Sequence, residues 1–168
     1  MQSTLHYLEK LVAFPTVSRD SNLALIDFIA SELEVLGISS RLIHSEDGRK
    51  ANLWATIGPA NAQGVALSGH TDVVPVEGQN WSSDPFKLTQ RGGTLLGRGS
   101  ADMKGFIASC LHLAHQAVKR KLHTPLHFAF SYDEEIGCIG VRRMLDMLKT
   151  CRCARGFASL ASPPCCRW

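Results

Sequence analysis

No run of eighteen or so apolar residues occurs anywhere in this 168-residue chain, and its start, MQSTLHYLEK, lacks a basic segment followed by an apolar one. The first absence argues against a membrane-spanning helix and the second against a secretory leader, so the expectation is a cytoplasmic protein with no membrane partner. CxxC pairs and zinc-ribbon spacings are missing too. Cys110 and Cys138 stand alone, while the other four cysteines crowd into the last eighteen residues, which disfavours both a disulfide framework and a cysteine-built zinc site. There is no internal repeat and no low-complexity segment. Nor is there any acid after Asp146: the tail from residue 150 to 168 carries three arginines alone, so the formal charge of +3 comes wholly from it. The body of the chain has mixed, balanced charge, and a nucleic-acid partner is not expected without Lys and Arg gathered on a folded face.

What is present is ordinary globular usage, 45% hydrophobic and 20% charged, enough for one domain with a real core. The composition shift divides the chain into residues 1–149, which should fold, and a Cys/Arg-rich tail, 150–168, expected to lie outside the fold. Leu5, Leu8, Leu11 and Val12 have helical spacing, and a second helix follows SRDSN, with Leu25, Ile26, Ile29, Leu33 and Leu36 apolar and Gly37 as its stop. SRLIHS, NLWATIG, VALSG and LHFAFSY read as strands, with two further short strand candidates around the glycines at 92 and 93. A long helix is expected from about Met103 to Lys121 and a last one from about Val141 to Leu148. Strands alternating with helices predict an α/β domain: a three-layer sheet, largely parallel, with helices on both faces.

In open α/β sheets, chemistry gathers beyond the carboxyl ends of strands. Two strand exits stand out. VALSG is followed by His70 and Asp72, and LHFAFSY by Asp133, Glu134 and Glu135; if the two strands are parallel, both clusters lie on one rim. Asp102, in GRGSADMKG, opens the long helix between glycines. Taken singly, each has a plain explanation. A histidine at a strand end is usually a satisfied surface or core group, Asp102 is most simply a helix N-cap, and an acidic run is usually solvated. Together, one imidazole and several carboxylates at sheet-edge positions make a ligand set for a borderline divalent metal such as zinc or cobalt. Of two adjacent glutamates, one can ligate while its neighbour stays free as a base.

Three linked segments, SGHTDVVPVEGQNWSSDPF, GRGSADMKGFIA and SYDEEIGCIGVRRML, are similar in sequence and order to the M20 family of dinuclear zinc amidohydrolases and peptidases. The resemblance spans nearly all of residues 1–149. It implies an incomplete zinc-peptidase-like catalytic domain that would take two ions, Zn2+ or Co2+, in a complete site. His70 would be a terminal ligand of one metal, Asp102 the bridge, Glu135 a ligand of the second and Glu134 the general base. Asp72 would accept a proton from the far imidazole nitrogen and so fix the tautomer of His70. A cis peptide is implied between Asp102 and Met103. The reaction implied is metal-assisted hydrolysis of a small N-acyl amino acid.

The chain departs from that pattern in length. Family members are roughly twice as long and carry a lid that also forms a homodimer; here that dimerisation domain is absent. A further carboxylate from a GEPT-like motif and a distant histidine also have no counterpart, which would leave each metal two protein ligands. Three readings follow: an enzyme active only when completed, a non-catalytic fragment produced by a frameshift or truncation, and an independent binding module whose tail is functional. Translating the other reading frames past codon 149 separates the last two.

Overall fold

The first helix begins where Ser3 offers its hydroxyl to the amide of His6 at 3.2 Å, and it buries Tyr7, Leu8, Leu11 and Val12. The computed structural model of the chain describes residues 3–59 and 62–150, together with the backbone of 158–160. This first helix is α1 (Thr4–Val12); α2 (Leu23–Val35) follows with Leu25, Ile26, Ile29 and Leu33 inward. Gly37 ends it in the left-handed region, at φ 73, where a residue without Cβ meets no penalty.

Strand β1 (Ser40–His44) turns tightly into β2 (Ala51–Ile57), and so short a connection forces the pair antiparallel. Then come β3 (Val65–His70), the hairpin β4 (Thr89–Arg91) and β5 (Thr94–Leu96), helix α3 (Gly105–Ala117), β6 (Leu126–Ser131), α4 (Val141–Thr150) and β7 (Ala158–Leu160). The main sheet has the order β1-β2-β6-β3-β7. Its β3–β6 and β3–β7 pairs are parallel, while β1–β2 and β2–β6 are antiparallel. The sheet is therefore mixed rather than largely parallel: two of its four pairs, those made by β3, are parallel and the other two are antiparallel.

Helices cover both faces, as expected. Along β2 and β6, Leu53, Ala55, Ile57, Phe128 and Phe130 join α1, α2 and α3 in one cluster, while Trp54 and Ala129 face Val141, Met144 and Leu148 of α4. This alternation is the period of two that a pleated strand imposes. One boundary needs correction. The third helix starts later than Met103, because Asp102 (φ −125, ψ 99) and Met103 (φ −134, ψ 31) have non-helical backbones. Residues 158–160 of the tail form β7, which pairs with the edge of β3 and satisfies backbone groups that an edge strand would leave open. Residues 151–157 and 161–168 of that tail lie outside the described residues. Among the described residues no helix is long and apolar enough to cross a membrane.

Candidate metal centre

Parallel pairing sets His70, the last residue of β3, directly beside Ser131, the last of β6. The two strand exits therefore open on one rim, and Thr71 locks them together: its amide and its hydroxyl both donate to the carbonyl of Ser131, at 2.8 and 2.9 Å. Beyond Ser131 the chain reverses at Asp133, whose φ of 56 is left-handed, and this reversal brings Glu134 and Glu135 back toward β3.

His70 is buried, with 2% of its surface exposed. Its Nε2 lies 3.0 Å from Asp102 Oδ1 and 3.7 Å from Glu134 Oε2. Among the described residues, His70, Glu134 and Glu135 form a group whose ligand atoms all lie within 4.8 Å of one another. Asp102 touches His70 but stands outside that group, its side chain 57% exposed. It does not act as a helix cap; it sits on the non-helical turn before α3, and the peptide bond to Met103 is cis, as the resemblance implies.

Asp72 is placed differently from the simple expectation. The Nδ1 of His70 lies 2.9 Å from the backbone oxygen of Asp72 and 3.6 Å from its carboxylate, so the nearer carbonyl is the acceptor that fixes the tautomer. The Asp72 carboxylate serves elsewhere. It accepts the Ser18 hydroxyl at 2.6 Å and the backbone amides of Glu134 and Glu135 at 3.0 and 3.2 Å. Two consecutive amides converging on one carboxylate hold the Glu134–Glu135 turn against β3.

The electrostatics show why a cation suits this rim. Burial opposes charge on His70, but the Asp72, Asp102 and Glu134 carboxylates outweigh it and push its pKa up to about 9. Burial also opposes ionisation of Asp72, yet His70, the Ser18 hydroxyl and the Glu134 amide hold it below the ordinary carboxylate range. Glu135 is raised, first by burial; the pull of His70 comes next and opposes it, and the neighbouring carboxylates of Asp102, Asp72 and Glu134 add to the rise. One imidazole among four carboxylates is an excess of negative charge that a divalent cation would balance, and imidazole with carboxylate oxygen is a donor set for zinc. The residues present fit such an ion.

Several contributors were invisible in the sequence. Ser18 and Lys50 are such residues, Lys50 donating to Asp133 Oδ1 at 2.6 Å and to the carbonyl of Ser18. Asn22 is another: it spans the start of β2 and Thr71, its Nδ2 donating to the Ala51 oxygen and to Thr71 Oγ1, both at 2.9 Å. Lys104, buried beside the Asp102 turn, donates to the Phe14 carbonyl at 2.7 Å, and burial lowers its pKa to about 7. The only signal for these was the presence of Ser, Asn and Lys at the ends of apolar segments, a signal shared by every ordinary loop.

A mixed α/β sheet that presents one histidine and a ring of carboxylates at the ends of two parallel strands has the architecture of a zinc-peptidase-like catalytic domain. The sequence profile of peptidase family M20/M25/M40 matches residues 66–164, and the chain belongs to that family. It is 39% identical over 151 residues to acetylornithine deacetylase of Pasteurella multocida, covering 86% of this chain and 39% of that protein, and 39% identical over 140 residues to the acetylornithine deacetylase of Proteus mirabilis, covering 79% and 36%. The chain thus spans about two fifths of the length of these curated relatives. In structure it is similar to an M20 family metallo-carboxypeptidase, Sso-CP2, from Sulfolobus solfataricus (TM-score 0.81, 21% identity, 96% of this chain and 38% of that one). Human carnosine dipeptidase 1 is similar as well (TM-score 0.80, 22% identity, 95% and 38%).

Proposed function

We propose that this chain carries the amino-terminal half of a metal-dependent amidohydrolase centre whose substrate is N-acetylornithine, cleaved to ornithine and acetate, a step that would feed arginine synthesis. The observation that carries the reading is the convergence of His70, Glu134 and Glu135 within 4.8 Å, with Asp102 against His70. The likeness to two acetylornithine deacetylases supports the choice of substrate.

His70, Asp102 and Glu135 would hold the metal, Zn2+ or Co2+, two ions in a completed site. When bound, the metal would polarise the acyl carbonyl and acidify a water held beside it. Each residue then has a separable task. The carbonyl of Asp72 takes the Nδ1 proton of His70, so that the Nε2 lone pair faces the site. The Asp72 carboxylate, held low, anchors the amides of Glu134 and Glu135. Glu134, its side chain 12% exposed and its Oε2 3.7 Å from His70, is positioned to take a proton from water and return it to the leaving amine. Within residues 147–168 there is no Asp, Glu or His to add a ligand, so the chain alone should hold metal weakly and show no turnover above background.

A chimera tests this. Residues 1–149 would replace the corresponding stretch of the Pasteurella multocida enzyme, and ornithine release would be measured with zinc or cobalt. The expected outcome is hydrolysis of N-acetylornithine, lost by about a hundredfold or more in Glu134→Gln through removal of the base. Preference for N-succinyl-diaminopimelate, or for general N-acyl amino acids, would replace the substrate assignment with a desuccinylase or aminoacylase. A Glu134→Gln chimera as active as its parent would remove Glu134 from the mechanism.

A further inference from the structure

Lys50 has no part in the chemistry above, yet it pairs with Asp133 at the head of the turn that performs it. Its side chain is only 16% exposed and that of Asp133 only 11%, and their ion pair measures 2.6 Å. The same ammonium donates to the carbonyl of Ser18. The Ser18 hydroxyl donates to Asp72, the Asp72 carboxylate receives the amides of Glu134 and Glu135, and Glu134 directly follows Asp133. These contacts close a ring: Lys50 to Ser18, Ser18 to Asp72, Asp72 to the Asp133–Glu135 turn, and the turn back to Lys50. Four of its five hydrogen bonds end on a carboxylate and the fifth starts from an ammonium, the charge-assisted kind that is shorter and stronger than a neutral pair. The ring joins four remote stretches of chain, with Lys50 and Asp133 separated by 83 positions and Ser18 and Asp72 by 54.

Asp133 is the point of leverage. At φ 56 it holds the left-handed conformation, which is uncommon for residues with a Cβ although aspartate takes it more readily than most, and that conformation turns two successive amides toward Asp72. We propose that Lys50 is the positioning residue of this centre: by gripping Asp133 and Ser18 at once it fixes the turn that aims Glu134 and Glu135 at His70. The inference rests on the reading of Glu134 and Glu135 as base and ligand. It does not require Lys50 to touch metal or substrate. Removing its ammonium would leave the Asp133 carboxylate without its cation, and the turn would relax toward an ordinary backbone, carrying both glutamates away from His70.

The test uses the chain as it stands, with Lys50→Met, Lys50→Arg, Asp133→Asn and, as a control, Leu33→Ala, which opens a cavity in α2 far from the ring. Two quantities are read: amide hydrogen exchange at Glu134, Glu135 and Phe128 in metal-free protein, and Co2+ affinity from its visible absorption. In Lys50→Met the Glu134 and Glu135 amides should exchange about tenfold faster or more while Phe128 stays unchanged, the signature of local rather than global opening. Co2+ affinity should fall by about ten- to a hundredfold, the usual effect of removing a group that orients metal ligands. Lys50→Arg should restore both, Asp133→Asn should repeat the local loss, and Leu33→Ala should speed exchange everywhere without singling out the turn. Unchanged Glu134 and Glu135 exchange in Lys50→Met, or a change no larger than at Phe128, would overturn the proposal; if that variant does not fold, Asp133→Asn is read on the same terms. A parent chain that takes up no Co2+ would count against the metal reading alone, since the exchange measurement still decides the role of Lys50.

Discussion

The two faces of the main sheet are built from the same strands by different physics. On one, every inward residue is apolar: Ala51, Leu53, Ala55 and Ile57 of β2, Leu67 of β3, and Phe128 and Phe130 of β6 meet three helices in a single cluster. On the other, Trp54 and Ala129 face α4 with Ile43 and Cys138 packed beside them, and several of the positions around them are polar. There Asn52 donates to the Gly140 carbonyl at 2.9 Å and accepts the Tyr132 amide at 3.3 Å, Thr56 pairs with His127 Nδ1 at 2.9 Å, and Trp54 stacks on the His127 ring at 4.9 Å. Burial of apolar area has no direction, so the first face can hold the fold together without specifying where any one group lies. Hydrogen bonds have direction. The second face sets the position of the segment from Tyr132 to Gly140, and that segment carries Glu134 and Glu135.

Close approach enforces the same placement. A Cβ on Gly140 would stand 2.2 Å from the Tyr132 carbonyl, so only glycine lets the start of α4 lie against the exit of β6.

The largest effect should come from the apolar face. Phe128 is completely buried among α1–α3 neighbours, and Phe128→Ala should cost about 3–5 kcal/mol through lost burial and the cavity left behind. Urea unfolding measures it. A loss under about 1 kcal/mol would mean that this face does not carry the stability of the domain and would dissolve the contrast.

A smaller effect of another kind is expected from Asn52→Leu, which keeps the branching of the side chain and removes the polar group. The Gly140 carbonyl and the Tyr132 amide would then be buried without partners, costing about 2–3 kcal/mol in all. The distinguishing consequence is location. Amide shifts should move from Tyr132 to Gly140 and leave α1 and α2 unperturbed, whereas Phe128→Ala should disturb the helical cluster. Shifts spread evenly over both faces would show that Asn52 packs rather than positions.

This contrast also accounts for what could be read from the sequence. The apolar face was legible because its residues repeat at the periods of helix and strand: Leu25, Ile26, Ile29 and Leu33 on α2, and the alternate residues of NLWATIG and LHFAFSY. His70, Asp72, Asp102, Glu134 and Glu135 were legible as a group because they follow strands or open a helix, and three linked segments carry them. Strands β1 and β2 were legible, but not their antiparallel direction, because a strand's residues do not reveal it. The polar face was not legible at all. Asn52 finds Gly140 across 88 residues and Lys50 finds Asp133 across 83, and no local pattern marks a partner at that distance. The late start of α3 escaped for a related reason: the composition of SADMKG suits a helix, and tertiary packing at the Asp102 turn overrides it.

The smallest effect marks the outer boundary of the apolar face. Val35 is the last residue of α2, two positions after the buried Leu33, and it is 82% exposed. A lysine there would lose almost no burial. It would replace a β-branched residue by a better helix former, and it would put a cation in a last turn that has no basic residue, where the carbonyl ends of the helix favour one. Glu32 lies one turn earlier on the same helix, in the favourable order for a pair. Val35→Lys should therefore stabilise the chain slightly, by up to about 0.5 kcal/mol, with the gain shrinking in high salt as the charge interactions are screened. Thermal unfolding at low and high ionic strength measures both parts. A loss of 1 kcal/mol or more would show that Val35 contributes burial to the fold, and the apolar cluster would then reach the outer side of α2 as well as its inner one.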